Sequence, residues 1–380
     1  MALDISSYHS SLQLPSQTQG LIDNCFNDIK WLSAFEKFSG LDNEACHQLM
    51  TSNGVPAGFL PAYIENESMC GTLRDRVLGR FARLPIFMNW GIRNAIACSS
   101  PWGFFSGIEC SEKDRSTVCE ALIKHIDQIA YERKLGLSGF TFVPETSHEL
   151  RKQLEDHGYK SIPVGPTTFL ELKWNSFDEY LESRPSGKFR TSIRSERKKA
   201  KRLNFEWYEE DNLNMIVGGR PLYSIMMELY RNTQTKHSHD KSILNSSFLP
   251  NLWEMDKKNL RLCIARLDRK IVAFGLLRLS GTIAHALMTG RDYDVKDSFY
   301  SYFNTCYYEP IIRGIKEKWS VIYFRPGVYR AKLRRGCQLE KLYLYIKGHS
   351  LSSQIFLNLY IPVAKKYFNH KFSMPNLINQ

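Results

Sequence analysis

Between Arg184 and Arg202 the chain sets nine Lys and Arg residues against one carboxylate, Glu196, within otherwise ordinary globular sequence. Side chains of this kind bind anions: guanidinium groups fork onto phosphate or carboxylate oxygens, and ammonium groups add compact charge. At 100° per residue Arg190, Arg194, Arg197 and Lys201 share one helical stripe, and Phe189, Ile193, Ala200 and Leu203 form a thinner apolar stripe beside it. The apolar stripe lets such a helix dock while the charges stay on display. Like charges three and four residues apart oppose a helix by ~0.2–0.5 kcal/mol per pair, so the run calls for an anion or for nearby carboxylates. A plain solvated basic face is the alternative. A second basic cluster, Arg330, Lys332, Arg334 and Arg335, reads as a turn after a short strand. His237, His239 and Asp240 lie close together, but no third ligand follows at a recognisable interval, so they read as a polar loop and no metal is expected. His285, between Ala284 and Ala286 on a strand, is either a core histidine or a cleft residue.

Helices and strands must carry these groups. Apolar residues at helical spacing predict a helix from Thr18 to Phe38 with a glycine stop at Gly40, and others over Asp114–Lys134, Ser147–His157, Pro221–Thr233 and Ser298–Trp319. Gly54–Ile64 reads as a strand interrupted by prolines. Gly139–Val143 and Thr168–Trp174 read as strands, and 260–267, 271–279 and 282–289 as an antiparallel meander. Val321–Phe324 is a short strand. Gln354–Phe372 is apolar and Lys-ended, which suits a packing helix better than a membrane binder. Helices alternating with strands indicate an α/β architecture, and the two halves repeat a similar order.

A chain of 380 residues exceeds what one core normally covers, so two domains are expected. Apolar and charged contents of 43% and 24% exclude wholesale disorder. The net charge of +12 is mostly local to 184–202 and favours a polyanionic partner: tRNA, a phosphate-bearing cofactor or an anionic membrane surface. Nine scattered cysteines without a C-x-x-C pair suggest a reducing cytosol. Neither an export signal nor a membrane span is visible, so a cytoplasmic location is expected.

Several segments carry a family resemblance. They are Ser186 to Arg197, Tyr230 to Lys236, Phe303 to Ile311 and Gly327 to Gly336, with a weaker match at Ser100 to Gly107. In order and spacing they resemble the Gcn5-related N-acyltransferase (GNAT) fold in its tandem, FemAB-like form, over about residues 50–350. The resemblance implies two tandem GNAT-like domains, 1–175 and 176–380, with mixed, largely antiparallel sheets flanked by helices. A cleft is expected between them, and the second domain would carry the basic helix. It also implies an N-acyltransferase that moves an acyl or aminoacyl group from aminoacyl-tRNA or an acyl-CoA thioester to a small-molecule or lipid-linked amine. No permanently bound cofactor is implied, and peripheral membrane association is among the expectations.

Acyl transfer to an amine needs a neutral nucleophile, oxyanion stabilisation and a proton for the leaving group, without a covalent enzyme nucleophile. The matched segments make Lys332 the first candidate, offering charge to an oxyanion or phosphate, with Tyr308 as proton donor and Asn304 orienting an acceptor. Lys188, Arg190, Arg194, Arg197, Lys236, Arg330 and Arg335 would bind the donor. Tyr302 and Asn304 stand where members of the family carry a histidine and a glutamate. That departure frames the alternative: a catalytically degenerate module of the same fold that grips RNA or an anionic membrane.

Overall fold

A computed structural model describes residues 3–39, 43–65, 94–184, 186–237, 244–295 and 299–379. Gly40, Ser298 and the polar segment 238–240 lie outside them, and with that segment the histidine–aspartate cluster. Among the described residues no group of three or more His, Cys, Asp or Glu is placed to hold a metal. In chain order, the strands that matter are β1 (Ala95–Cys98), β2 (Leu137–Pro144), β3 (Thr167–Glu171), β4 (Leu260–Leu267), β5 (Lys270–Ser280), β6 (Ile283–Arg291), β7 (Val321–Tyr323) and β8 (Leu342–Gly348). The helices are α1 (Arg115–Glu132), α2 (Gly187–Lys199), α3 (Glu309–Glu317), α4 (Tyr329–Arg334) and α5 (Leu351–Lys371).

The chain divides into two compact units, but not at residue 175. The first unit takes nearly all of the chain up to Thr167 and also Glu340–Asn379, while the second holds Thr168–Leu339 together with Phe38 and Ser39. The expected boundary therefore moves, and the last forty residues return to the first unit. Each unit contains a parallel pair of strands, β1 with β2 and β6 with β7, joined by a long helical crossover. The strand beside each pair comes from the far side of the sequence: β8 lies antiparallel to β2, and β3 antiparallel to β7. That exchange is invisible to a reading that assigns each half of the sequence to its own domain.

Alternation along the strands builds the first unit's core. Ile96, Cys98, Phe140 and Tyr345 face α1 through Val118, Leu122 and Ile126. Ala95, Ala97, Leu137, Leu344 and Ile346 face the other way, against Phe356, Leu357, Ile361 and Ala364 of α5. The N-terminal helix is shorter than expected, Ile29–Phe38 rather than 18–38. Asp28 caps it by accepting the Lys30 amide at 2.8 Å, and the preceding residues form a separate 3-10 turn, Ser16–Leu21.

In the second unit β4, β5 and β6 form the expected meander. The helical crossover from β6 widens into a π-helical turn over Asn304–Tyr308 just before Pro310, which has no N–H to continue an α-helical ladder. This turn presses onto the sheet at Gly275 of β5, where a Cβ would lie 2.6 Å from the Thr305 carbonyl oxygen. Only glycine lets the helix come that close.

Candidate functional site

Helix α2 is anchored by buried Ile193, and the residues three and four positions on, Glu196 and Arg197, face the same neighbours. Arg197 Nη1 donates to Asn304 Oδ1 at 2.8 Å and to the Glu309 carboxylate, while Asn304 Nδ2 donates to the Tyr300 carbonyl at 2.9 Å. Fully buried, Asn304 spends both ends of its amide on holding α2 against the π-helical turn. Glu196 accepts a hydrogen bond from the Tyr308 hydroxyl and pairs with Arg335 Nη2 at 2.6 Å. The Arg335 guanidinium lies 4.0 Å from the ring centre of Phe303 and 5.2 Å from those of Tyr307 and Tyr308. Burial, with the Glu196 charge, pushes the Tyr308 phenol well above its ordinary range, so it stays protonated. Burial works against the charge on Arg335, while the Glu196 carboxylate beside it favours that charge, and the guanidinium is held above its ordinary range.

Lys332 is on a short helix rather than in an open turn. Its ammonium points inward and donates to the carbonyls of Phe324 at 2.8 Å, Arg325 at 2.7 Å and Pro326 at 3.4 Å. Arg325, Gly327 and Val328 in this loop all have positive φ, which is unfavourable for arginine and more so for valine. Lys332 thus ties down a strained segment. Burial pushes its ammonium down to about 7. Arg184, also buried, donates to the Arg335 carbonyl at 3.0 Å and to Ser183 Oγ at 2.8 Å, and lies over Tyr180 and Trp174. Gly336, at φ +84°, makes room for it: a Cβ there would fall 1.1 Å from Arg184 Nη1.

Three of the matched segments therefore meet, at 184–197, 304–309 and 330–336, and Arg334 over the Phe189 ring adds a further contact between the first and last. The outward stripe expected of α2 is corrected. Arg190 turns back to donate to the Arg184 carbonyl at 2.7 Å, Arg197 points to Glu309, and Arg194 pairs with Glu182 on the surface. Carboxylates from this chain offset much of the run's repulsion. Lys188 and Arg330 are exposed. Lys236, also exposed, belongs to a different patch, over the Tyr293 ring that Arg291 also covers. His285 is a buried histidine stacked on Tyr323, and burial with the Arg278 charge holds it neutral, down to about 3.

Glu196, Glu309 and Arg184 had no role assigned from sequence. Glu196 carried a signal, as the single acid inside a basic run; Arg184 carried one in Gly336 only once the fold brought them together. Arg197, Arg184 and Arg335 stand against Glu196 and Glu309, three permanent cations to two carboxylates, and Lys332 adds a fourth only in its protonated form. The hydrogen bonds of Arg184 and Lys332 go to neutral oxygens. Lys188, Lys198 and Lys199 are exposed on α2 beyond them.

Solved structures share this fold at low identity. FemX aligns at a TM-score of 0.62 and 10% identity, over 94% of this chain and 99% of its own. The C-terminal domain of a putative lysylphosphatidylglycerol synthetase from Agrobacterium fabrum aligns at 0.57 and 11%, over 90% and 94%. L-PGS from Bacillus licheniformis aligns at 0.53 and 12%, over 87% and 95%. No curated protein sequence is significantly similar to the chain. The tandem GNAT architecture expected from the sequence is present. The model of one family, described as peptidoglycan biosynthesis/recognition, matches residues 16–344, and the chain belongs to that FemAB-like family.

Proposed function

We propose that the protein is an N-acyltransferase that moves an acyl or aminoacyl group from an activated, anionic donor to an amine, and that its second unit binds the donor. The observation that carries this reading is the cation surplus around α2, α4 and the π-helical turn, extended outward by exposed Lys188, Lys198 and Lys199. Family membership and the likeness to FemX support transfer, and the proteins named for lysylphosphatidylglycerol favour an aminoacyl donor and a lipid-linked acceptor. In such a reaction the amine attacks the donor carbonyl, charge gathers on its oxygen, and the amine proton ends on the departing hydroxyl or thiol. The buried cations supply a positive field for that oxygen and for donor phosphates. Glu196, Tyr308, Asn304 and Lys332 act as positioning residues, because each is committed to another protein group.

Aminoacyl-tRNA and acyl-CoA differ in how many phosphates α2 can engage. A tRNA donor predicts binding that weakens steeply with salt, with a logarithmic slope of roughly −0.7 to −0.9 per phosphate contacted. The test is the Lys188→Ala/Arg194→Ala variant, whose altered side chains are surface groups. It should raise the donor KM several-fold with kcat little changed and flatten the salt slope. Unchanged KM for both donor classes would remove α2 from donor binding. The binding-module alternative rests on Asn304, which stands where a carboxylate base is expected and is wholly occupied by Arg197 and Tyr300. Tight RNA binding without transfer from any donor would select it.

A further inference from the structure

Helix α5 is apolar on both sides, and the fold covers one of them. Phe356, Leu357, Ile361 and Ala364 are buried in the first unit's core. Leu351, Ile355, Leu359, Val363 and Tyr367 are between 44% and 75% exposed and recur every four residues, as one row about 24 Å long that winds gradually round the helix, with Leu351 to Val363 sharing one face. Single exposed apolar residues need no explanation, but a continuous ridge on a helix whose other face is already packed marks a surface that something covers.

The charge around the ridge identifies its occupant. From Lys341 to Gln380 the chain has five lysines and neither Asp nor Glu. Lys341 and Lys347 pair with Glu145 and Asp127, whereas Lys365, Lys366 and Lys371 belong to α5. Lys160 adds a fourth cation beside the helix by donating to Asn358. Towards the helix end Tyr367 meets Phe368 edge to face and Phe368 stacks on Phe372, with the Lys371 ammonium 5.5–6.0 Å from the three ring centres. An apolar ridge flanked by lysines and aromatic rings, on a segment that carries no acids of its own, is complementary to the headgroup boundary of an anionic bilayer. A protein partner would need no such one-signed border.

We infer that α5 is an interfacial docking helix that lays its Leu351–Tyr367 ridge into an anionic lipid surface, with its lysines at the headgroups. It lies in the surface and does not span it, since no described helix is long and apolar enough to cross a membrane. The inference does not depend on the transfer reading, and its test involves no catalysis. The full chain is floated with vesicles of phosphatidylcholine alone or mixed with phosphatidylglycerol. Partitioning onto the anionic vesicles should be roughly a hundredfold higher, from three lysines near the surface. Leu359→Glu/Val363→Glu, at exposed positions that leave the core intact, should lower it at least as much, with circular dichroism unchanged. Lys365→Ser/Lys366→Ser/Lys371→Ser should erase the preference for anionic lipid. Equal flotation of wild type and the ridge variant overturns the inference, as does equal affinity for both vesicle types. A solution dimer that Leu359→Glu/Val363→Glu converts to monomer, without vesicle binding, overturns it in favour of a second copy.

Discussion

Replacing Glu196 tests whether the counter-charge inside the basic run is what holds the second unit's site together. The Glu196 and Arg335 side chains are 12% and 6% exposed, and they meet at 2.6 Å. At an effective dielectric constant near 20 that separation is worth about 6 kcal/mol of gross attraction, against a desolvation cost of several kcal/mol per ion. The net value of the pair is therefore small, but the cost of orphaning one partner is not. Glu196→Ala leaves Arg335 buried among Phe303, Tyr307 and Tyr308 without its carboxylate and takes the acceptor from Tyr308. It should destabilise the unit by about 3–5 kcal/mol. Glu196→Ala/Arg335→Met should recover most of that loss, giving a coupling of at least about 2–3 kcal/mol in the double-mutant cycle with Glu196→Ala and Arg335→Met. Urea unfolding followed by tryptophan fluorescence reads it, since Trp174, Trp207, Trp253 and Trp319 all belong to this unit. A loss below about 1 kcal/mol for the single variant, or additive losses in the cycle, would refute the coupled burial of Glu196 and Arg335.

Gly336→Ala should cost about 2–4 kcal/mol, from a left-handed backbone and displacement of Arg184 from its acceptors; a urea midpoint matching wild type would show that Arg184 is not packed against that backbone. Lys332 has a folded pKa of about 7, below its ordinary 10.5, so the unfolded chain binds more protons between those values and folding gains as pH rises through that window. The stability difference between wild type and Lys332→Met should therefore shift towards wild type by up to about 1.4 kcal/mol per pH unit above pH 7, and parallel stability curves would contradict it. For His285, at about 3 against an ordinary 6.5, stability is present above pH 6.5 and lost as pH falls towards 3. His285→Phe should flatten that acid limb by up to about 1.4 kcal/mol per unit, measured as urea midpoints at pH 4 and 6.

The elements were legible where periodicity is long. Helix α1 and the β4–β6 meander fall within a few residues of their expected ends, because Val118, Leu122 and Ile126 or the alternating strand faces fix the period. The N-terminal helix was over-extended because apolar spacing continues through Cys25 and Phe26, although Asp28 restarts the ladder. Strand β8 was passed over despite its alternating Leu342-Tyr-Leu-Tyr-Ile346, and with it the return of the chain end to the first unit. Nothing local encodes that return. The slot between β2 and the strand Lys160–Pro163 exists only once those strands have been placed by the first half of the chain.

The site was legible as segments and misread as faces. Helical spacing placed Arg190, Arg194, Arg197 and Lys201 on one stripe and left Glu196 as a spectator, because a hydrophobic pattern ranks charged residues by default as outward. Burial of a charge is decided by its partner, and partners here come from 107 to 139 residues away: Asn304 for Arg197, Tyr308 and Arg335 for Glu196. A single carboxylate kept within nine cations is costly to explain as solvent decoration, since any outward acid would weaken the site's field on an anionic ligand. Turned inward it does the reverse: it neutralises Arg335, fixes Tyr308, and leaves the exposed lysines of α2 uncompensated toward solvent. The run therefore divides by helical side. One side builds the unit from paired charges, and the other presents Lys188, Lys198 and Lys199 to solvent.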